Sequence, residues 1–114
     1  MSVVSKTIKY LLDKNISVST AESCTGGLLA AEFTAVSGIS KIYKTGLITY
    51  SNDSKIKNLK VKSSTIKRYG AVSRQVCAQM CLHLHKISKS QLTFSTTGVA
   101  CLLYTSDAAD DPTC

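Results

Sequence analysis

The sequence contains no tryptophan and no long apolar run. Its first residues, MSVVSKTIKYLLDKN, interrupt the apolar positions with lysines and an aspartate, so we expect neither a signal peptide nor a membrane span there. Even without tryptophan, 44% apolar and 18% charged residues are typical of a folded globular chain and exclude a disordered one. With 114 residues, the chain is at most one domain.

A regular cysteine pattern is also missing. The five cysteines are odd in number and irregular in spacing, which argues against a disulfide framework. Disulfides persist in oxidising compartments, whereas the cytoplasm keeps thiols reduced. We therefore expect a cytoplasmic protein.

Acidic residues are scarce, because 7 Asp and Glu stand against 14 Lys and Arg and leave a formal charge of +7. Such a surplus is compatible with anionic partners. No arginine-rich or aromatic-interleaved patch is present, however, and the arginines are confined to Arg68 and Arg74. A solvated lysine face explains the charge better than nucleic-acid binding. We expect no nucleic acid and no membrane among the partners.

Hydrophobic periodicity predicts helices that alternate with strands. The predicted strands span residues 16–20, 45–51 and 91–99. Helices are predicted from apolar spacing at 4–12 and 28–36, from a cap at Asn52 or Asp53, from a stop at Gly70, and from a cap at Ser73. This order predicts an α/β fold with αβα layers around a largely parallel sheet.

The stretch TAESCTGGLLAAE puts three nucleophile-capable side chains, Ser23, Cys24 and Thr25, directly before Gly26 and Gly27. It falls between the first predicted strand and the next helix. In open α/β sheets, ligands bind beyond the carboxyl ends of the strands, where helix N-terminal amides can receive a phosphate or a developing oxyanion. A plain helix cap is the commoner explanation for a single Ser or Thr at such a position.

Four motifs in this order, TAESCTGG, GLITYSNDSK, YGAVS and STTGVA, resemble the C-terminal domain of the CinA family. This family comprises competence-damage-inducible proteins and stand-alone bacterial nicotinamide-nucleotide amidases. The resemblance covers residues 5–100. It implies hydrolysis of the carboxamide of nicotinamide mononucleotide to nicotinate mononucleotide and ammonia, by a Ser and Lys pair without metal or cofactor. It also implies a homo-oligomer in the native-length protein.

The motifs lack a histidine, since His83 and His85 lie on the predicted long helix, so a Ser-His-Asp arrangement has no base. Lys55 is the available alternative. To be neutral at pH 7, it must be desolvated or placed near other cations. Tyr50, five residues earlier, is expected to hydrogen-bond in the same crevice and to relay or orient the proton. Without the resemblance, a solvated helix lysine is the favoured interpretation of Lys55.

The nucleophile has two candidates among neighbouring residues. The resemblance places Ser23 at the nucleophile position of the family. Cys24 is its chemical rival, because a thiol is intrinsically the better nucleophile. Only one of two neighbouring side chains at a turn can face the crevice, and Cys24 is predicted to fill space behind the loop.

Substrate contacts are expected from two loops. Amides of the first loop would hold the oxyanion or the substrate phosphate, Glu22 would orient the loop or the lysine, and the second loop would hold substrate on the other side of the crevice. The residues concerned are Glu22, Thr25, Gly26 and Gly27 in the first loop, and Thr96, Thr97 and Gly98 in the second.

A candidate metal site is formed by Cys77, Cys81 and His85, which recur at i, i+4 and i+8 of the long helix. Thiolate and imidazole suit zinc. A stripe of small thiols at this spacing is more often core, and the three positions span two turns, too far apart for one ion. We therefore expect no metal.

Residues 101–114, CLLYTSDAADDPTC, do not continue the family pattern. We expect a domain at 1–100 that is truncated, with an incomplete sheet and impaired amidase activity, followed by a disordered or artefactual tail. Two other functions stay open at this point. One is a non-catalytic CinA-type binding or assembly module, and the other is an amidase for another small carboxamide.

Overall fold

The structure, a computed structural model, describes residues 2–98 in full and the backbone of residues 100–105. It contains five α-helices in this part of the chain: α1 (Val3–Asp13), α2 (Leu28–Thr34), α3 (Asn52–Leu59), α4 (Ser63–Tyr69) and α5 (Arg74–Ser88). The strands are β1 (Val18–Glu22), β2 (Tyr43–Ile48), β3 (Leu92–Thr97) and β4 (Ala100–Thr105). A short 3-10 helix, Ile39–Lys41, precedes β2.

These strands form one sheet in the order β2-β1-β3-β4. The first three are parallel, and β4 runs antiparallel to β3, so the predicted α/β fold with a largely parallel sheet is confirmed. No strand was predicted from the sequence where β4 lies, and β4 includes the first five residues of the expected tail. Residues 106–114 lie outside the described part, and the domain boundary at residue 100 stays a prediction.

Two hydrophobic clusters cover the two faces of the sheet, which gives the αβα layers. On one face, α1 and α2 pack against β1, with Ile8, Leu11, Val18 and Phe33 buried. On the other face, α3 and α5 pack with β1 through a cluster of buried apolar residues: Ala21, Leu59, Val61, Val76, Met80 and Leu84. Fully burying one such large apolar side chain stabilises the fold by roughly 1.5–3 kcal/mol. Both faces of β1 are therefore buried, as expected of a central parallel strand.

A bulge in β2 fixes which side chains of this strand face α5. Val18 pairs with Tyr43, but Ser19 pairs with Thr45, so Lys44 is an additional residue on β2. Beyond the bulge, Leu47 packs in the same cluster as Ala21 on the α5 side. The bulge thus decides, for every later residue of β2, which face of the sheet its side chain points to.

Helix ends follow local capping chemistry, with one error in prediction. The Ser51 hydroxyl, and not Asn52 or Asp53, caps α3 by accepting from the Ser54 N–H at 3.0 Å. Ser73 caps α5 as predicted, because its hydroxyl accepts from the Val76 N–H at 3.2 Å. Asn52 and Asp53 instead form the first turn of α3, where an acidic side chain suits the helix dipole.

The longest of the described helices, α5, has 15 residues. Crossing a bilayer takes about 20 predominantly apolar residues in a helix. None of the helices in the described part of the chain has the length and apolar character that this requires.

Candidate functional site

The crevice lies where the chain leaves β1 and β2 in opposite directions. After β1 the chain enters α2 on one face of the sheet, and after β2 it enters α3 on the other face. Such a reversal between neighbouring parallel strands opens a crevice at their carboxyl ends, where open α/β sheets bind ligands. Ser23 follows β1 here and Thr49 follows β2, and both side chains are buried.

Lys55 reaches this crevice from α3 and is 2% exposed. It shares the inner face of α3 with Leu59, one turn later. Its Nζ donates to the Tyr50 carbonyl oxygen at 3.0 Å. No carboxylate among the described residues forms an ion pair with it, since the ion pair in this part of α3 joins Lys57 to Asp53. Lys55 is thus a buried amine without a counter-charge in the described part of the chain.

Burial lowers the pKa of Lys55 from its ordinary value of 10.5, and the neighbouring Cys24 opposes this by raising it. Desolvation is the larger cause, because the charged ammonium loses hydration that a single backbone carbonyl does not replace. The electrostatic influence of Cys24 also shows that the amine lies close to the loop after β1. Lys55 therefore loses its proton more readily than an exposed lysine does.

Ser23 is 5% exposed. Its hydroxyl makes no hydrogen bond to any described residue, so nothing in this part of the chain commits its lone pairs or its proton. Alternation along β1 turns Ser23 toward the same face as Ala21, which packs on the α5 side. Ser23 and Lys55 thus belong to one side of the sheet.

The side chain of Tyr50 is 71% exposed. Its contact with Lys55 uses the main-chain carbonyl and not the phenol. The sequence predicted a hydrogen bond of Tyr50 in the same crevice as Lys55, but it did not indicate which group of Tyr50 makes the contact. A proton relay through the phenol stays a prediction.

Cys24 is exposed and faces the loop after β3. Its Sγ accepts from the Gly98 N–H at 2.9 Å. Gly98 has φ +59, and a Cβ at this position would overlap Val72. Glycine is therefore required to bring this amide to the thiol.

Glu22 lies on the other face of the sheet and caps α2. Its carboxylate accepts four hydrogen bonds, from the Thr25 hydroxyl at 2.8 Å and from the N–H groups of Gly27, Leu29 and Ala30 at 3.2, 2.9 and 2.9 Å. A carboxylate suits this place because the N-terminal amides of a helix lack partners and carry positive partial charge. Glu22 therefore orders the loop after β1. Its predicted part in substrate binding stays a prediction.

The amides expected to bind an anion are partly engaged within the chain. Gly27 donates to Glu22, and Gly26 donates to the Ser23 carbonyl at 3.0 Å. The N–H groups of Cys24 and Thr25 make no hydrogen bond within the described part of the chain. They immediately follow Ser23, so these two are the better candidates for an oxyanion hole.

Glu22→Gln is expected to destabilise the fold by about 1–3 kcal/mol, because a neutral amide replaces a charged acceptor of four hydrogen bonds at the α2 N-terminus. Urea unfolding measures this loss. Glu32→Gln is the matched control, since Glu32 is an exposed carboxylate on the same helix. Equal unfolding free energies for the two variants would contradict the capping role.

The carboxyl end of β3 lies at the same edge of the sheet as the carboxyl ends of β1 and β2. Thr96 contacts the Thr25 hydroxyl at 3.1 Å on the Glu22 side of the sheet. Thr97 is buried, and its hydroxyl donates to the Ala71 carbonyl at 3.0 Å. The loop residues Thr96, Thr97 and Gly98 therefore lie beside the first loop, and each makes a contact within the protein. Their contact with substrate stays a prediction.

The stripe of Cys77, Cys81 and His85 packs against β3. Cys77 contacts the Ser95 hydroxyl at 3.1 Å, Cys81 contacts the Thr93 carbonyl at 3.4 Å, and His85 Nδ1 contacts the Thr93 hydroxyl at 2.8 Å. These contacts are those of a core stripe. The described residues contain no group of three His, Cys, Asp or Glu arranged to hold a metal ion.

Sequence reasoning did not single out Thr49. It is 1% exposed, and its Oγ1 has no hydrogen-bond partner among the described residues. The motif GLITYS contains it, but its direction depends on the bulge at Lys44, which periodicity alone does not show. A buried threonine at the end of a strand was therefore overlooked.

Three parallel strands between two helical layers, with a serine and a buried lysine at the strand reversal, define an α/β domain with a crevice at the carboxyl ends of its strands. Residues 1–104 match the CinA C-terminal domain. The chain belongs to this family.

Relatives and solved structures agree with this assignment. Competence-damage inducible proteins of Clostridium novyi and Caldanaerobacter subterraneus are 51% identical over 92 residues and 47% identical over 93 residues. The matches cover 81% and 82% of this chain, but 22% and 23% of the relatives. The chain thus spans less than a quarter of the length of these curated relatives.

Two crystal structures share the fold. A CinA superfamily protein from Escherichia coli is 33% identical, with a TM-score of 0.78 over 83% of this chain and 55% of that one. The competence/damage inducible protein CihA from Agrobacterium tumefaciens is 28% identical, with a TM-score of 0.84 over 95% and 79% of the two chains.

Proposed function

We propose that this domain is an amidohydrolase that converts nicotinamide mononucleotide to nicotinate mononucleotide and ammonia. The environment of Lys55 supports this most strongly. A buried amine with a lowered pKa and no carboxylate partner in the described part of the chain is unfavourable for stability, and such groups cluster at functional sites. Its position next to the loop that carries Ser23 suits a Ser and Lys mechanism.

In this mechanism, neutral Lys55 accepts the proton of Ser23 while Oγ attacks the carboxamide carbon. The N–H groups of Cys24 and Thr25 stabilise the oxyanion of the tetrahedral intermediate. The proton held by Lys55 returns to the leaving nitrogen, the C–N bond breaks, and ammonia departs. Water then hydrolyses the ester on Ser23 by the same proton path in reverse.

The substrate and the surroundings belong to the same proposal. The formal charge of +7 favours an anionic mononucleotide over a neutral amide. Cys24, Cys77 and Cys81 carry thiols and not disulfides, which is compatible with a reducing cytoplasm. A homo-oligomer stays a prediction, which light scattering on the purified protein can test.

Ammonia release measured over a panel of carboxamides tests the function directly. We expect nicotinamide mononucleotide to be hydrolysed faster than nicotinamide, its riboside or an aliphatic amide. Faster hydrolysis of another carboxamide would support the amidase mechanism and would assign a different substrate. Binding of the mononucleotide without ammonia release would favour a non-catalytic binding module.

Activity is expected to rise with pH through the lowered pKa of Lys55, because only the neutral amine accepts the Ser23 proton. Stability should rise in the same direction between this lowered pKa and 10.5, since the unfolded chain binds the proton more readily in that window. A pH profile of kcat, with urea unfolding at the same pH values, measures both. A kcat independent of pH would argue against Lys55 as the base.

A further inference from the structure

Thr49 is a buried polar residue that the mechanism above does not use. It follows β2 directly, is 1% exposed, and its hydroxyl has no hydrogen-bond partner among the described residues. Buried hydroxyls in folded proteins are nearly always paired, because an unpaired one costs free energy. The position of this hydroxyl relative to Ser23 and Lys55 therefore bears on whether it takes part in the reaction.

Sheet register places Thr49 beside Ser23. The Thr49 N–H donates to the Glu22 carbonyl at 2.8 Å, so the β1–β2 ladder continues past both strand ends. Thr49 and Ser23 are then the next cross-strand neighbours, on strands about 4.8 Å apart. Alternation from Ala21 and Leu47, which pack in one cluster, turns both hydroxyls toward the α5 side.

Lys55 comes to the same place from α3. Its Nζ donates at 3.0 Å to the carbonyl of Tyr50, the residue directly after Thr49. Its side chain lies on the face of α3 that packs in the α5-side cluster through Leu59. Two buried hydroxyls and one buried amine thus lie on one side of the sheet, at the carboxyl ends of β1 and β2. No hydrogen bond joins the three among the described residues, so the proton transfer requires them to close up when substrate binds.

We propose that the Thr49 hydroxyl transfers the proton between Ser23 and Lys55, an inference that rests on the proposed Ser and Lys chemistry. As Ser23 Oγ bonds to the carboxamide carbon, the carbonyl π pair moves onto the oxygen. The Ser23 proton passes to Thr49 Oγ1 while the Thr49 proton passes to Lys55 Nζ. On collapse, the oxyanion pair re-forms the carbonyl and the C–N pair leaves with the nitrogen. The Lys55 proton passes to Thr49 Oγ1 while the Thr49 proton passes to the leaving nitrogen, and ammonia departs. Thr49 ends each step with the proton count it began with.

The first test compares Thr49→Val, which keeps the shape and removes the hydroxyl, with Thr49→Ser, which keeps the hydroxyl. For nicotinamide mononucleotide, we expect Thr49→Val to lower kcat at least about 100-fold with little change in KM, and Thr49→Ser to stay within about tenfold of the original. The unfolding temperature of Thr49→Val should match or exceed the original, because an unpaired hydroxyl is removed. Thr49→Ala provides a second variant without the hydroxyl. An unchanged kcat in Thr49→Val, or an equal loss in Thr49→Ser, would overturn the inference.

A second readout does not depend on the substrate. A small fluorophosphonate phosphonylates an activated serine with loss of fluoride, and mass spectrometry measures the adduct on the Ser23 peptide. We expect the unsubstituted protein and Thr49→Ser to be labelled rapidly and Thr49→Val slowly. If no carboxamide releases ammonia but labelling follows this order, the proposed substrate fails and the proton transfer stands. No labelling of Ser23, or equal labelling of all three proteins, overturns the proton transfer.

Discussion

Replacing Ser23 by alanine is expected to lower the turnover of nicotinamide mononucleotide at least about 1,000-fold, because the acyl intermediate can no longer form. The fold should tolerate the change. The Ser23 hydroxyl makes no hydrogen bond to any described residue, so its removal leaves no partner unsatisfied there. Ammonia release under substrate saturation gives the change in kcat, and thermal unfolding verifies that the variant remains folded.

Cys24→Ala is the matched control for this substitution. It removes the neighbouring nucleophile and the contact of its sulfur with the Gly98 amide, which spans 2.9 Å. We expect it to retain at least about a tenth of the original kcat, since it leaves the attacking group untouched. Loss of turnover in Cys24→Ala together with activity in Ser23→Ala would transfer the chemistry to the thiol.

Replacing Lys55 by methionine is expected to abolish turnover and to raise stability at neutral pH. Methionine nearly matches the length of the lysine stem and needs no hydration, whereas the buried amine has one carbonyl contact and no carboxylate partner in the described part of the chain. Lys55→Arg should be inactive and less stable, because a guanidinium stays protonated and does not fit the same space. Ammonia release and the midpoint of urea unfolding measure the two effects.

Lys57→Met is the control for this pair of changes. Lys57 lies two residues further along α3, is exposed, and pairs with Asp53 at the surface. Surface ion pairs contribute about 0–1 kcal/mol, so this variant should keep its activity and lose little stability. Full activity in Lys55→Arg would exclude Lys55 as the base. A lower stability in Lys55→Met would show that the amine contributes to the fold.

Strand and helix order was predictable because periodicity and capping are local signals. Ser73 at the start of α5 and Gly70 at the end of α4 were both identified from the sequence. The α3 cap was assigned one or two residues too late, since Ser51, Asn52 and Asp53 all have capping side chains and only the backbone decides among them. Strand β4 was missed because its pairing with β3 is a tertiary contact.

The sequence indicated which residues lie at this edge of the sheet, but not the directions of their side chains, and their catalytic roles stay predictions. Ser23 and Lys55 were named from motifs, and the structure brings the two loops to one edge of the sheet. The exposed phenol of Tyr50 and the unpaired hydroxyl of Thr49 depend on the register of β2. A single additional residue, Lys44, sets that register, and the amino-acid composition does not reveal the bulge.

Successive residues at the end of β1 point to opposite faces of the sheet, and this alternation keeps the Glu22 carboxylate away from the Lys55 amine. The Glu22 carboxylate, at the end of β1, and the Lys55 amine, on α3, lie on opposite faces of the sheet, so the sheet separates the two groups. The field of Glu22 falls on its own side, where it adds to the effect of burial in raising the pKa of Tyr43. On the same face, the carboxylate would favour the protonated amine and would oppose the lowering of the Lys55 pKa by burial. The two-residue repeat of one strand thus keeps the lysine amine away from a carboxylate that would hold its proton.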